Sequence, residues 1–238
     1  MLKFGIIGNP LGHSYSEQYF TELFTRESIN AEYHPYAIKE IDLVRDLLHT
    51  LEGFNVTYPY KETIIPMLTG VDEIAQQIGA VNVVYQGKGY NTDWLGFRDS
   101  LRPLLKEKDR KILLLGTGGV SKAIQYALNE MGITFTLVSR YNTKDHPNKI
   151  TYNEIDKQVI ENHTVIVNCT PLGMHPYEAE LPQIPYEYLT KEHLLFDCIY
   201  NPSKTLFLQE GEQRGCRIKN GLEMLHLQAD RAWEIWNK

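Results

Sequence analysis

The chain has 238 residues, 42% of them hydrophobic and 23% charged, which suits a globular protein of one large or two modest domains. Its 24 Lys+Arg against 30 Asp+Glu leave a net charge of −6, which argues against a nucleic-acid partner but leaves room for a small anion held by local donors. Three widely spaced cysteines, Cys169, Cys198 and Cys216, suggest neither a disulfide framework nor a thiolate metal site. With no basic-then-apolar leader and no long apolar span in the sequence, we expect a cytoplasmic protein with no membrane partner.

Residues 2–7 read as an apolar strand running into the turn-rich Gly8-Asn9-Pro10-Leu11-Gly12. His13, Ser14 and Ser16 then precede a helix with apolar positions at Tyr19, Phe20, Leu23 and Phe24. Hydroxyls beside the free N–H groups of a helix start make a carboxylate-binding corner; a simple N-cap is the plainer reading of either serine. Residues 31–37 form a strand, and 41–51 a helix that turns Leu43, Val44, Leu47 and Leu48 inward. A strand over 53–57 runs into Tyr58-Pro59-Tyr60-Lys61, where Pro59 ends it. Asn55, Thr57 and Lys61 thus gather polar groups at the end of a parallel strand, where α/β folds bind ligands. A short helix over 72–78 leads to a strand over 79–85 carrying Asn82, whose buried amide needs partners; a ligand hydroxyl could be one. Gly87 and Gly89 mark a hairpin into Tyr90-Asn91-Thr92-Asp93. A long helix over 94–105 follows, with Leu95, Phe97, Leu101 and Leu104 inward, and the charged, exposed turn at 106–110 marks a domain boundary.

Residues 111–140 organise the second half. The continuous apolar run Ile112-Leu113-Leu114-Leu115 reads as a strand buried on both faces. It ends in Gly116-Thr117-Gly118-Gly119, and a helical pattern (Val120, Ala123, Ile124, Ala127, Leu128, Met131) starts at once and closes at Gly132. Phe135 to Val138 is the next buried strand. In this βαβ setting the glycines let the backbone approach a pyrophosphate, and the helix start offers it N–H groups, although Ser121 stands at the third glycine position. Beyond a polar connection over 141–149 we expect a helix over 152–159 and a buried strand over 164–168 ending in Cys169-Thr170-Pro171-Leu172-Gly173-Met174. A strand over 194–197, a helix over 204–210, a strand over 216–218 and, after Asn220-Gly221, a helix over 222–236 complete the chain.

The eight histidines are scattered, with His175 and His193 in polar loops, and neither HExxH nor GxSxG occurs, so we expect no metal centre and no serine-hydrolase elbow. What remains is a nucleotide loop and a second region rich in Ser, Thr, Asn, Lys and Asp at strand ends. That inventory suits an oxidoreductase whose substrate is polyhydroxylated and anionic. A lysine on a turn is more often solvated than catalytic, and Asn91-Thr92-Asp93 before a helix is also a good cap. Only a fold that joins the two strand ends makes Lys61 and Asp93 a pair.

The motifs together resemble the shikimate dehydrogenase family nearly end to end. Gly8-Asn9-Pro10 with His13-Ser14-Tyr15-Ser16 is similar to its amino-terminal substrate motif, and Asn55-Val56-Thr57-Tyr58-Pro59-Tyr60-Lys61 to its catalytic lysine motif. Gly79-Ala80-Val81-Asn82, Asn91-Thr92-Asp93-Trp94-Leu95-Gly96, the glycine loop, Asn168 to Met174, Asp197 with Tyr200, and Gly221 with Gln228 follow in the family's order. The resemblance implies two α/β domains around a cleft: a substrate-binding catalytic domain over 1–98, a Rossmann-like nucleotide domain over 99–218, and a carboxy-terminal helix over 219–238 returning to the first. It implies NADP-dependent, reversible reduction of 3-dehydroshikimate to shikimate in aromatic amino-acid biosynthesis, by a monomer or homodimer.

Carried over residue by residue, the resemblance assigns proton transfer to Lys61 and Asp93. It assigns substrate binding to Ser14, Ser16, Asn55, Thr57, Asn82, Tyr200 and Gln228, with the two serines on the carboxylate. The cofactor falls to Gly116, Gly118, Gly119, Ser139, Arg140, Lys144, Thr170 and Gly221. Arg140 lies at the end of the second strand, where an NAD site wants an acid and a 2′-phosphate wants a guanidinium fork. The chain departs from the family at Glu17 for proline, Val83 for threonine, and Ser139 and Tyr141 around Arg140. A quinate/shikimate dehydrogenase using NAD would share nearly all these motifs. A non-catalytic nucleotide-binding protein of this fold would be expected to lose Lys61 or Asp93, and both are present.

Overall fold

The computed structural model describes residues 1–9, 11, 15–141 and 148–238. The chain divides into two units, Met1–Gly96 with His226–Lys238, and Phe97–Leu225. Each is built on a six-stranded sheet with helices against it.

The first unit runs β1 (Leu2–Gly8), α1 (Tyr15–Arg26), β2 (Ala31–Ala37), α2 (Val44–Thr50), β3 (Gly53–Val56), β4 (Gly70–Val71), α3 (Glu73–Ile78), β5 (Val83–Tyr85) and β6 (Lys88–Tyr90), with α4 (Asp93–Leu101) leading out of it. Strand order is β2-β1-β3-β5-β6-β4. β1 pairs in parallel with β2 and β3, whereas β5 runs antiparallel to both β3 and β6. Alternation along the strands supplies two cores. Ile7, Phe54, Val56 and Val84 pack with Val44 and Ile64. Phe4 and Val83 pack with Phe20, Phe24, Tyr33 and Trp236.

The second unit runs β7 (Lys111–Leu115), α5 (Gly119–Glu130), β8 (Thr134–Ser139), β9 (Lys149–Thr151), α6 (Lys157–Asn162), β10 (Val165–Asn168), β11 (Leu194–Asp197), α7 (Leu206–Gln213) and β12 (Arg217–Lys219), and α8 (Leu222–Trp236) begins in it. Its sheet is parallel throughout, in the order β12-β11-β10-β7-β8-β9. This is a Rossmann-like doubly wound sheet whose order reverses between β7 and β10, and the crevice at such a reversal is where ligands bind.

Several expectations are corrected. Leu43 is exposed, because residues 41–43 form a 3-10 turn ahead of α2 and its side chain leaves the inward face. The strand expected from Gly79 begins at Val83: Gly79 is left-handed (φ 71°) and closes α3 through its N–H on Ala75. The long helix over 94–105 stops as an α-helix at Leu101 and tightens into a 3-10 turn over Arg102–Leu104, with Pro103 inside it. Asp109, read as part of an exposed turn, is buried beneath Arg217 and Thr164. The polar connection over 141–149 ends in β9, and residues 152–159 hold a 3-10 turn and the start of α6 instead of one helix. His193 is buried, its ring bonded to Thr190 and Ile160.

Candidate active site

The topology of the first sheet gathers one set of strand ends. The carboxyl ends of the parallel β1 and β3 lie beside the start of the antiparallel β5 and the end of β6, since Asn55 pairs with Val83 and Val83 with Tyr90. Gly8 and Thr57 therefore close the first two strands. They meet so tightly that a Cβ on Gly8 would lie 2.5 Å from the Thr57 methyl. Asn82 precedes β5, and Asn91, Thr92 and Asp93 follow β6.

Lys61, on the turn after β3, donates from Nζ to Asp93 Oδ2 at 2.6 Å, with side chains only 14% and 7% exposed. The other carboxylate oxygen, Oδ1, accepts from Asn82 Nδ2 at 3.0 Å. The same Asn82 nitrogen lies 3.0 Å from Thr92 Oγ1 and 3.1 Å from Gln228 Oε1, so its two hydrogens are shared among three acceptors. Asn82 Oδ1 accepts from the Thr92 N–H at 2.7 Å, which fixes the amide's orientation. Asn82 is thus the hub that joins Asp93 to Gln228 of α8. Asn55, on β3, donates to the main-chain oxygen of Asn82 at 3.3 Å and accepts from Tyr33 Oη at 2.7 Å. Ser16 is buried in the first turn of α1. Ser14 lies outside the described residues. The structure brings Lys61, Asp93, Asn55, Asn82 and Gln228 into one hydrogen-bonded group; Tyr200 belongs to the second unit, after β11.

Chemically this is an ammonium held against a largely buried carboxylate, surrounded by amides and hydroxyls. Such a group holds a proton at hydrogen-bond distance from a reacting oxygen and stabilises charge that develops there. Sequence reasoning missed Thr92 and Tyr33 as members of the network. Thr92 stood inside a quoted motif, while Tyr33 carried only the signature of a core aromatic.

In the second unit the β7–α5 turn has the features of a phosphate cradle. Gly116 sits at φ 105°, a region side-chain-bearing residues avoid, and its α-carbon faces the main-chain oxygen of Cys169. Gly118 is the N-cap of α5 and so supplies no side-chain cap to the first turn, and a Cβ there would meet nothing within 4 Å. A helix start without a side-chain cap, with open space beside Gly118, suits a pyrophosphate, so these residues fit a dinucleotide. Ser121 is buried and donates from Oγ to Gly116 O at 2.7 Å, closing the loop from the position of the third glycine.

Ser139 ends β8 and accepts from the Tyr141 N–H at 3.2 Å, and Arg140 is exposed with its guanidinium 5.7 Å from the Tyr141 ring. Lys144 lies outside the described residues. Thr170 donates its N–H and hydroxyl to Asn168 Oδ1, and Asn168 Nδ2 donates in turn to buried Asp197. Gly221 answers a local need: a Cβ would lie 2.2 Å from Cys198 O.

The two departures nearest the strand ends have local explanations. Val83 is fully buried in the aromatic core. Glu17 turns its carboxylate toward His34, with Oε1 3.6 Å from Nδ1.

A family model for the shikimate dehydrogenase substrate-binding domain matches residues 6–84. A shikimate dehydrogenase (NADP(+)) of Bacillus cereus is 36% identical over 98% of this chain and 91% of its own length. The crystal structure of shikimate dehydrogenase from Aquifex aeolicus matches with a TM-score of 0.87 at 35% identity, covering 99% of this chain and 92% of that one. That of the Thermus thermophilus enzyme in complex with NADP(H) and shikimate matches with a TM-score of 0.87 at 27% identity, covering 99% and 93%.

Proposed function

The chain belongs to the shikimate dehydrogenase family, and we propose that it catalyses the NADP-dependent, reversible reduction of 3-dehydroshikimate to shikimate. The observation that carries this reading is the Lys61–Asp93 pair at 2.6 Å, held by Asn82 at the junction of three strand ends.

In this reading Ser14 and Ser16 bind the substrate carboxylate at the start of α1. Asn55, Thr57, Asn82, Gln228 and Tyr200 hold the ring hydroxyls. The bound nicotinamide nucleotide supplies or takes the hydride. Lys61 Nζ stands at the oxygen on the carbon that takes or gives up the hydride: it gives a proton to the ketone oxygen of 3-dehydroshikimate during reduction and takes one from the shikimate hydroxyl during oxidation. Negative charge growing on that oxygen is stabilised by the ammonium. Asp93 holds the ammonium in place and accepts from a neighbouring hydroxyl.

Gly116, Gly118 and Gly119 would hold the pyrophosphate at the start of α5, with Thr170 and Gly221 beside it. Ser139, Arg140 and Lys144 would take the adenosine side, Arg140 meeting the 2′-phosphate. The preference for NADP rests on that arginine and on the absence of an acid at 136–141. A steady-state assay of shikimate oxidation with NADP and NAD in parallel tests the proposal. Turnover of shikimate with NADP supports it, and no turnover with either nucleotide contradicts it.

A further inference from the structure

We propose that Tyr33 is a positioning residue that occupies Oδ1 of the Asn55 amide and holds it in place, so that this corner of the site offers a donor and recognises an acceptor oxygen. The inference rests on the reading of these strand ends as the shikimate site.

An asparagine amide is nearly symmetric in shape but not in chemistry: one end accepts and the other donates two hydrogens. Asn55 is 4% exposed, so both ends need partners. On one side stands the main-chain oxygen of Asn82, 3.3 Å away, which can only accept. Nδ2 therefore faces it, and Oδ1 is turned to Tyr33, whose hydroxyl donates at 2.7 Å. The Asn82 oxygen selects this orientation, and the Tyr33 hydroxyl, which could accept as well as donate, donates to Oδ1 and holds the amide in it. A flipped amide would set oxygen against oxygen at Asn82.

Tyr33 is well held for this task. It is 2% exposed on β2, its ring stacks on Phe20 with centroids 4.7 Å apart and planes at 17°, and Trp236 packs beside it at 6.3 Å. The hydroxyl thus reaches Asn55 from the far side of β1, which lies between β2 and β3 in the sheet. With Oδ1 taken by Tyr33 and one hydrogen of Nδ2 by Asn82, the second Nδ2 hydrogen has no partner among the described residues. A ligand oxygen fits there, whether hydroxyl or carbonyl; an ammonium or a methyl group does not.

Tyr33→Phe removes the hydroxyl and keeps the stacked ring. Loss of the lock should raise the Michaelis constant for shikimate about tenfold, the size of one buried hydrogen bond, with kcat changed less than about threefold. NADP affinity should stay near that of the parent protein, and the thermal midpoint should fall by a few degrees, because Oδ1 is left buried without its donor. In the double mutant with Asn55→Ala, Tyr33→Phe should add little, because it acts through Asn55. An unchanged Michaelis constant, or fully additive effects in the cycle, would overturn the role of Tyr33. A lowered thermal midpoint with an unchanged Michaelis constant would do the same and leave Tyr33 a core residue. A parent protein that does not turn over shikimate would instead overturn the reading of the site, and this inference with it.

Discussion

Glu17 Oε1 lies 3.6 Å from His34 Nδ1, so the acid next in sequence to the buried Ser16 is turned to a residue of β2. Successive helical residues diverge by about 100°, so neighbours face different surroundings. The Glu17–His34 pair is half-exposed and contributes at most about 1 kcal/mol. Glu17→Gln should therefore leave the Michaelis constant for shikimate within about twofold of the parent, whereas Ser16→Ala should weaken substrate binding by roughly 1.5–3 kcal/mol, the value of a hydrogen bond to a charged group. Comparing the two variants in one steady-state series checks this. Equal losses in both would place the acid in the carboxylate pocket.

Two buried carboxylates of the second unit should shape its stability in opposite ways. Burial pushes the Asp197 carboxyl up to about 7, against hydrogen bonds from Thr205, the Ile199 N–H and Asn168. Its unfolded value is about 3.9. The folded state thus keeps a proton the unfolded chain has lost, and this contribution falls away as pH rises from about 4 through 7. Asp109 is raised by burial but lowered further by Thr164, the Lys106 N–H and Arg217, and ends below its ordinary value. Its contribution is present above about pH 4 and is lost as pH falls through the folded value. Urea midpoints measured from pH 3 to 8 should show Asp197→Asn flattening the neutral side and Asp109→Asn flattening the acid side. Parallel curves for parent and variants would contradict both assignments.

Arg140 stands exposed at the end of β8, over Tyr141, with no acid in the strand end to receive ribose hydroxyls. If it meets the 2′-phosphate, Arg140→Ala should raise the Michaelis constant for NADP about tenfold or more and barely change that for NAD. Parallel nucleotide titrations of parent and variant decide this. Equal catalytic efficiency with the two nucleotides in the parent protein would sink the assignment.

Much of this architecture is legible in the sequence where local pattern decides. Ile112 to Leu115, the glycine turn and the three-and-four spacing of α5 need no distant partner to be read, and the strand and helix appear where the pattern puts them. Several of the misreadings share a cause: a distant residue changes what a side chain faces. Asp109 sits in a charged run that looks solvated until Arg217, on β12, folds over it. Asn82 looks like a strand residue because the apolar alternation runs through it, but Gly79 delays the strand and frees the amide to act as a hub. Tyr33 reads as core, and it is core; its hydroxyl gains a second task only because β1 brings β2 and β3 into one sheet. Lys61 and Asp93 are 32 residues apart in the chain, and no local pattern joins them.

The central claim is that Lys61 transfers the proton. Losing such a group costs about 10²–10⁴-fold in rate. Asp93→Asn should lower turnover as well, and less, since the amide oxygen keeps one of the two hydrogen bonds, from Lys61 or from Asn82, without the charge. The direct test is kcat for shikimate oxidation by Lys61→Ala with substrate saturating, alongside a binding titration of NADP. We predict a fall in kcat of about 10²-fold or more with NADP affinity unchanged. Near-normal turnover at saturating shikimate would remove Lys61 from the mechanism.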